Sequence, residues 1–74
     1  MKDLIAIDNA IKLLEAKYLF CTQNGFLKTA GYLQRIIQIG KAYTTIDWVN
    51  HDEVADILRR TGDEITTAGM GVNK

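Results

Sequence analysis

The stretch DLIAIDNAIKLLEAKYLFCT, residues 3–22, decides the fold. Within it Leu4, Ile7, Ile11, Leu14, Tyr18 and Cys21 recur at alternating spacings of three and four, a seam of heptad type. At about 100° of rotation per residue, Ala6, Ala10, Leu13 and Phe20 widen this seam to ~160° of the circumference, and Lys17 is the one charge inside that arc. Asp8, Asn9, Lys12 and Glu15 occupy the opposite side, with Asp8 placed to pair with Lys12 one turn on. Asp3 is a suitable N-cap, and Asn24-Gly25 a suitable stop, since both residues tolerate the left-handed backbone that ends helices. The spacing therefore predicts an amphipathic helix over residues 3–22. Ile5 and Leu19 fall outside its apolar arc and add to a surface broader than one neighbouring helix covers.

Downstream, residues 26–43 repeat the pattern. Phe26, Ala30, Tyr32, Leu33, Ile36, Ile37, Ile39 and Tyr43 cover nearly half the circumference, and Lys28, Gln34, Arg35, Gln38 and Lys41 cover the rest. Ala30, Gly31 and Gly40 are small enough to admit a close neighbour, and Gly40 is also a possible helix end. A third helix begins at Asn50, where Glu53 three residues later suggests a capping box and Val49 with Val54 a hydrophobic staple. Val54, Ile57, Leu58 and Thr61 form its narrow stripe, and Gly62 reads as its C-cap. From Thr66 two glycines and fading periodicity read as a flexible tail, with Ile65 tucked back on the core. The expectation is an all-α fold: an antiparallel helical hairpin plus a short third helix in one domain over 1–65, a flexible tail over 66–74, and association as a helical dimer.

The dimer follows from size. A chain of 74 residues leaves much of its apolar surface uncovered, and small domains are usually supplemented by disulfides, a metal or oligomerisation. Cys21 is the only cysteine and His51 the only histidine, so no internal disulfide and no evident metal cage arise. The net charge is zero, which gives no attraction to phosphates or anionic lipid and little repulsion between copies. There is no secretory pattern and no apolar run approaching the ~20 residues that span a bilayer, and a lone thiol suits a reducing compartment. These features suggest a cytoplasmic protein without a membrane segment.

Few residues have the makings of chemistry. His51 lies near Asp47, Asp52 and Glu53, but carboxylates at a helix start are ordinary dipole partners, and a catalytic metal wants three ligands in fixed geometry. Cys21 sits on the apolar seam, where a cysteine acts as a small hydrophobe. Gly69 and Gly71 lack the flanking strand and helix of a phosphate loop. Arg59 and Arg60 are residue types a recognition helix uses, but Asp52, Glu53, Asp56, Asp63 and Glu64 surround them and would repel phosphates. Lys28, Arg35 and Lys41 could form a basic strip in a dimer. Trp48 either plugs the end of a small core or anchors a partner, and the plug is the expectation.

No catalytic, cofactor-binding or metal-binding set is expected, and no enzyme activity. The expected function is a small protein–protein interaction module that binds and modulates or inhibits a protein partner, as an antirepressor, inhibitor or antitoxin does. The alternative is a small helix-turn-helix DNA-binding regulator, which the carboxylates around Arg59 and Arg60 argue against. The partner-binding residues expected are Ile5, Leu13, Leu19, Phe20, Tyr32, Arg35, Ile39, Tyr43 and Trp48.

Overall fold

With no proline in the chain, caps and glycines set the helix ends. The computed structural model describes residues 5–72, and the side chains of residues 5–69. It contains α1 (Ala6–Gln23), α2 (Leu27–Tyr43) and α3 (His51–Val72). The cap expected from Asp3 lies outside the described residues.

The turn after α1 is a Schellman motif built on the predicted stop. The Phe26 amide donates to the Cys21 carbonyl at 2.8 Å and the Gly25 amide to the Thr22 carbonyl at 3.4 Å, while Gly25 takes φ +81°. The Asn24 side-chain amide also donates to the Phe20 carbonyl at 2.8 Å. At α3 the predicted cap is present: Asn50 Oδ1 accepts from the Glu53 amide at 3.1 Å.

α1 lies between the other two helices, antiparallel to α2 and parallel to α3. Buried Ile7, Ala10, Ile11, Leu14 and Cys21 meet Ala30, Leu33 and Ile37 of α2 and Ala55 and Leu58 of α3 in one core. Lys17 pairs with Asp63 at 3.1 Å, and Glu15 faces Lys41 at 3.9 Å, so each flank of α1 carries a bridge to a neighbour. Both bridges are substantially exposed and contribute little to stability; they mark the register.

Glycines let the helices approach. A methyl added at Gly40 would stand 3.0 Å from Leu58 Cδ1 and 3.2 Å from Ile11 Cγ1. One at Gly62 would collide with Leu14 Cδ2, and one at Gly69 with Thr29 Oγ1. Neither Gly40 nor Gly62 ends a helix. Both are interior positions where a neighbouring side chain occupies the space of a Cβ.

The third helix is therefore not short. At 22 residues it is the longest of the three and runs across the expected boundary at residue 65. The segment Thr66–Val72, expected as a tail, is helical. Thr66 is buried, its hydroxyl donates to the Gly62 carbonyl at 3.0 Å, and Gly69 packs on Thr29 of α2. Contact with α2 offsets the weak helix propensity of two glycines. Residues 73–74 of the expected tail lie outside the described residues.

Two further glycines allow a direct check. Gly31 is exposed with nothing near its missing Cβ, so Gly31→Ala should stabilise the protein by about 0.5–1 kcal/mol. Gly25→Ala, in equally open space, should destabilise it by about 1 kcal/mol because an L-residue is strained at positive φ. Urea titrations followed by circular dichroism should give opposite shifts of the midpoint; shifts of the same sign would contradict the assigned backbone at Gly25.

Candidate functional site: an apolar groove between α2 and α3

α2 and α3 touch each other less than either touches α1, and a groove runs between them on the side away from α1. One bank carries Tyr32, Ile36, Ile39 and Tyr43 of α2, at spacings of four, three and four. The other carries Val54, Ile57, Thr61, Ile65 and Ala68 of α3, at three, four, four and three. The groove widens at both ends. One hollow of about 640 Å³ lies between Phe26, Leu27 and Tyr32 on one side and Ile65 and Ala68 on the other. A second, of about 510 Å³, lies between Ile39 and Tyr43 and the segment Val49–Leu58.

Ile39 and Ile57 remain 53% and 49% exposed, and Tyr32 54%. Single exposed apolar residues are commonplace on protein surfaces, whereas two facing stripes on adjacent helices form a continuous patch of the kind that marks interfaces.

The sequence-predicted residues divide. Tyr32, Ile39 and Tyr43 come together in the groove, and exposed Arg35 stands on its rim beside Ile39. Leu13 and Phe20, seven residues apart, share a line on the flank of α1 beside the Lys17–Asp63 bridge. Ile5 and Leu19 are also exposed but lie ~60–120° round the helix from that line, so the four α1 residues form no single surface. Exposed apolar side chains thus occur on two faces: Tyr32, Ile39 and Ile57 along the α2–α3 groove, and Leu13 with Phe20 on α1. Ile65 packs against the core as expected, and so does Val54; sequence reasoning missed Ile57, half exposed on the groove, which it read only as part of the α3 stripe.

Trp48 is not a plug. It is 85% exposed in the connection between α2 and α3, next to Val49 at the mouth of the second hollow. His51 takes the buried place. Its side chain is 4% exposed and its Nε2 lies 2.7 Å from the Ile46 carbonyl oxygen. A carbonyl can only accept, so Nε2 carries the proton in this hydrogen bond, and Nδ1 is buried without a partner. The ring points into the bundle and pins the connection, with no carboxylate orienting it as in a catalytic pair. No group of three His, Cys, Asp or Glu placed to hold a metal occurs among the described residues.

Cys21 is fully buried at the end of α1. Burial pushes its thiol pKa above the ordinary value, with Lys17 pulling the other way to a lesser degree. A raised pKa favours the neutral thiol over the nucleophilic thiolate, the opposite of activation.

On α3, Asp56 holds both arginines: Arg59 at 3.3 Å and Arg60 at 3.6 Å. No helix among the described residues is long and apolar enough to cross a membrane. No family model matches the chain, and no similar protein was found among curated proteins or solved structures.

Proposed function

We propose that this protein is a small protein–protein interaction module with no chemistry of its own, acting in the cytoplasm by docking apolar surface onto a protein partner and modulating or inhibiting it. The observation that carries this reading is the α2–α3 groove, where Ile36, Tyr43, Val54 and Ile65 pack on the core while Tyr32, Ile39 and Ile57 remain about half exposed beside two open hollows. The Leu13–Phe20 flank is a second, smaller docking surface. Aromatic anchors in partly formed hollows, such as Tyr32 and Tyr43, are typical of residues that dominate interface energetics. Inhibition, including the antirepressor and antitoxin forms of it, needs only that such a surface cover a functional one on the partner.

The helix-turn-helix alternative finds less support. A recognition helix crosses its neighbour steeply and projects, while α3 runs alongside α1 for most of its length in a bundle 44 Å long and 14–16 Å across. Its arginines are engaged by Asp56 and flanked by further carboxylates.

Affinity capture from the native host with the tagged full chain tests the proposal, run beside Ile39→Glu and Leu13→Glu. Both positions are about half exposed, so the fold tolerates the change. The expected result is one stoichiometric protein partner, retained by the native chain and reduced at least tenfold by one of the two variants. Binding of duplex DNA that weakens steeply with salt, with no protein captured, would favour the alternative.

A further inference from the structure

We infer that the occupant of the α2–α3 groove is a second copy of this chain, related by a two-fold axis running along the bundle so that α2 of each copy lies on α3 of the other. This rests on reading the groove as an interface, and charge supplies the occupant. α2 contains Lys28, Arg35 and Lys41 and no carboxylate, whereas α3 contains Asp52, Glu53, Asp56, Asp63 and Glu64 against two arginines. The chain is neutral as a whole but its two groove-forming helices carry opposite charge.

Lys28 and Arg35, seven residues apart, border the Tyr32–Ile39 stripe on its outer side, and Glu53 and Glu64 border Ile57 on its outer side. All four are exposed, and none has an ion-pair partner among the described residues. The groove thus has a basic bank and an acidic bank, each outside an apolar stripe.

Such a face is complementary to itself in one orientation. A two-fold axis along the bundle leaves height unchanged, so Arg35 of each copy meets Glu64 of the other, while Lys28 and Glu53 lie at opposite ends of the groove and do not meet. Gly40 lies against Leu58 and Gly69 against Thr29, so in these antiparallel helices Glu64 is level with residue 34, and Arg35 and Glu64 stand only about 2 Å apart along the axis. A two-fold axis across the bundle would lay cations on cations and carboxylates on carboxylates. The ~800 Å² a standard interface takes from each partner is about a sixth of the 5152 Å² that the chain exposes. In this arrangement α1 lies on the outside of both copies, leaving two Leu13–Phe20 flanks available to a foreign partner.

Sedimentation equilibrium of the full chain decides the matter, with circular dichroism confirming helicity of each variant. At tens of micromolar the native chain should have twice the 8.3 kDa chain mass, and Ile39→Glu or Ile57→Glu should be monomeric yet folded. Arg35→Glu or Glu64→Arg should each weaken the dimer about tenfold, since each meets its opposite twice in the two-fold assembly. Combining Arg35→Glu with Glu64→Arg in one chain should restore native affinity, which an interface of α2 on α2 would not reproduce. A native chain that stays monomeric, or reversals without effect on the dimer, would overturn the inference. If the monomeric native chain still captures a foreign partner that Ile39→Glu loses, self-association alone has failed and the groove remains an interface. If Ile39→Glu alters neither, the groove is no interface, and if Leu13→Glu also leaves capture intact the proposed function falls with it.

Discussion

Leu14→Ala is expected to cost about 3 kcal/mol, a large share of the roughly 4–11 kcal/mol that a chain of 74 residues commands. Leu14 has no solvent exposure and sits where all three helices converge, its Cδ2 in the space of a Cβ at Gly62 and Leu33 beyond. Truncation leaves a cavity between helices that cannot readily collapse, because the neighbouring Ile11–Gly40–Leu58 contact already holds them at close range.

The same site makes a sharper test. Gly62→Ala adds about 1 kcal/mol of helix propensity but drives a methyl into Leu14, and overpacking in a filled core costs about 1–3 kcal/mol, so the native background should lose stability. In the Leu14→Ala background the obstruction is gone. There Gly62→Ala should stabilise the protein by about 1 kcal/mol, since the methyl enters the cavity and the propensity gain is kept. Urea denaturation of the four chains of this cycle should therefore show a change of sign and a coupling of about 2 kcal/mol. An identical effect of Gly62→Ala in both backgrounds would show that the two residues do not meet as described.

Gly62 also shows what the sequence made legible and what it did not. The α1 seam follows from its three-four spacing, the end of α1 from Asn24-Gly25, and the start of α3 from Asn50 and Glu53, because these signals are local. A glycine in a helical pattern is ambiguous by nature. It stops a helix when the next residues need a left-handed turn, and it permits contact when a neighbouring side chain needs its space. Gly25 does the first and Gly40, Gly62 and Gly69 the second. Only the positions of Leu14, Ile11 and Thr29, which are not local to those glycines, distinguish the cases. Taken as a stop, Gly62 cuts α3 short and divides the repeat that runs from Val54 to Ala68. Charge segregation between α2 and α3 was visible in the sequence. It acquired meaning once the two helices were found to bank one groove.

The connection between α2 and α3 rests on His51, and replacing it is the second large effect expected. Thr44–Asn50 contains no regular hydrogen-bonded segment beyond its turns, and the imidazole reaches back five residues to the Ile46 carbonyl. His51→Ala removes that bond, leaves the carbonyl without its partner and empties a buried volume; the combined cost should be about 2–4 kcal/mol. The orphaned Nδ1 makes the direction of a second substitution informative. His51→Leu also loses the bond to Ile46 but fills the space and removes a desolvated polar atom, so it should be less damaging than His51→Ala. His51→Gln can donate its side-chain amide to Ile46 and should also fall between native and His51→Ala. Thermal unfolding gives the order, and hydrogen exchange at residues 44–50 gives the place: His51→Ala should raise exchange there more than in α1. Equal stability of the native chain and His51→Ala would mean that the ring pins nothing. A loss confined to global unfolding, with the connection exchanging no faster than the core, would assign His51 to packing and leave the conformation of the connection, and with it the mouth of the groove at Val49, to be set by other contacts.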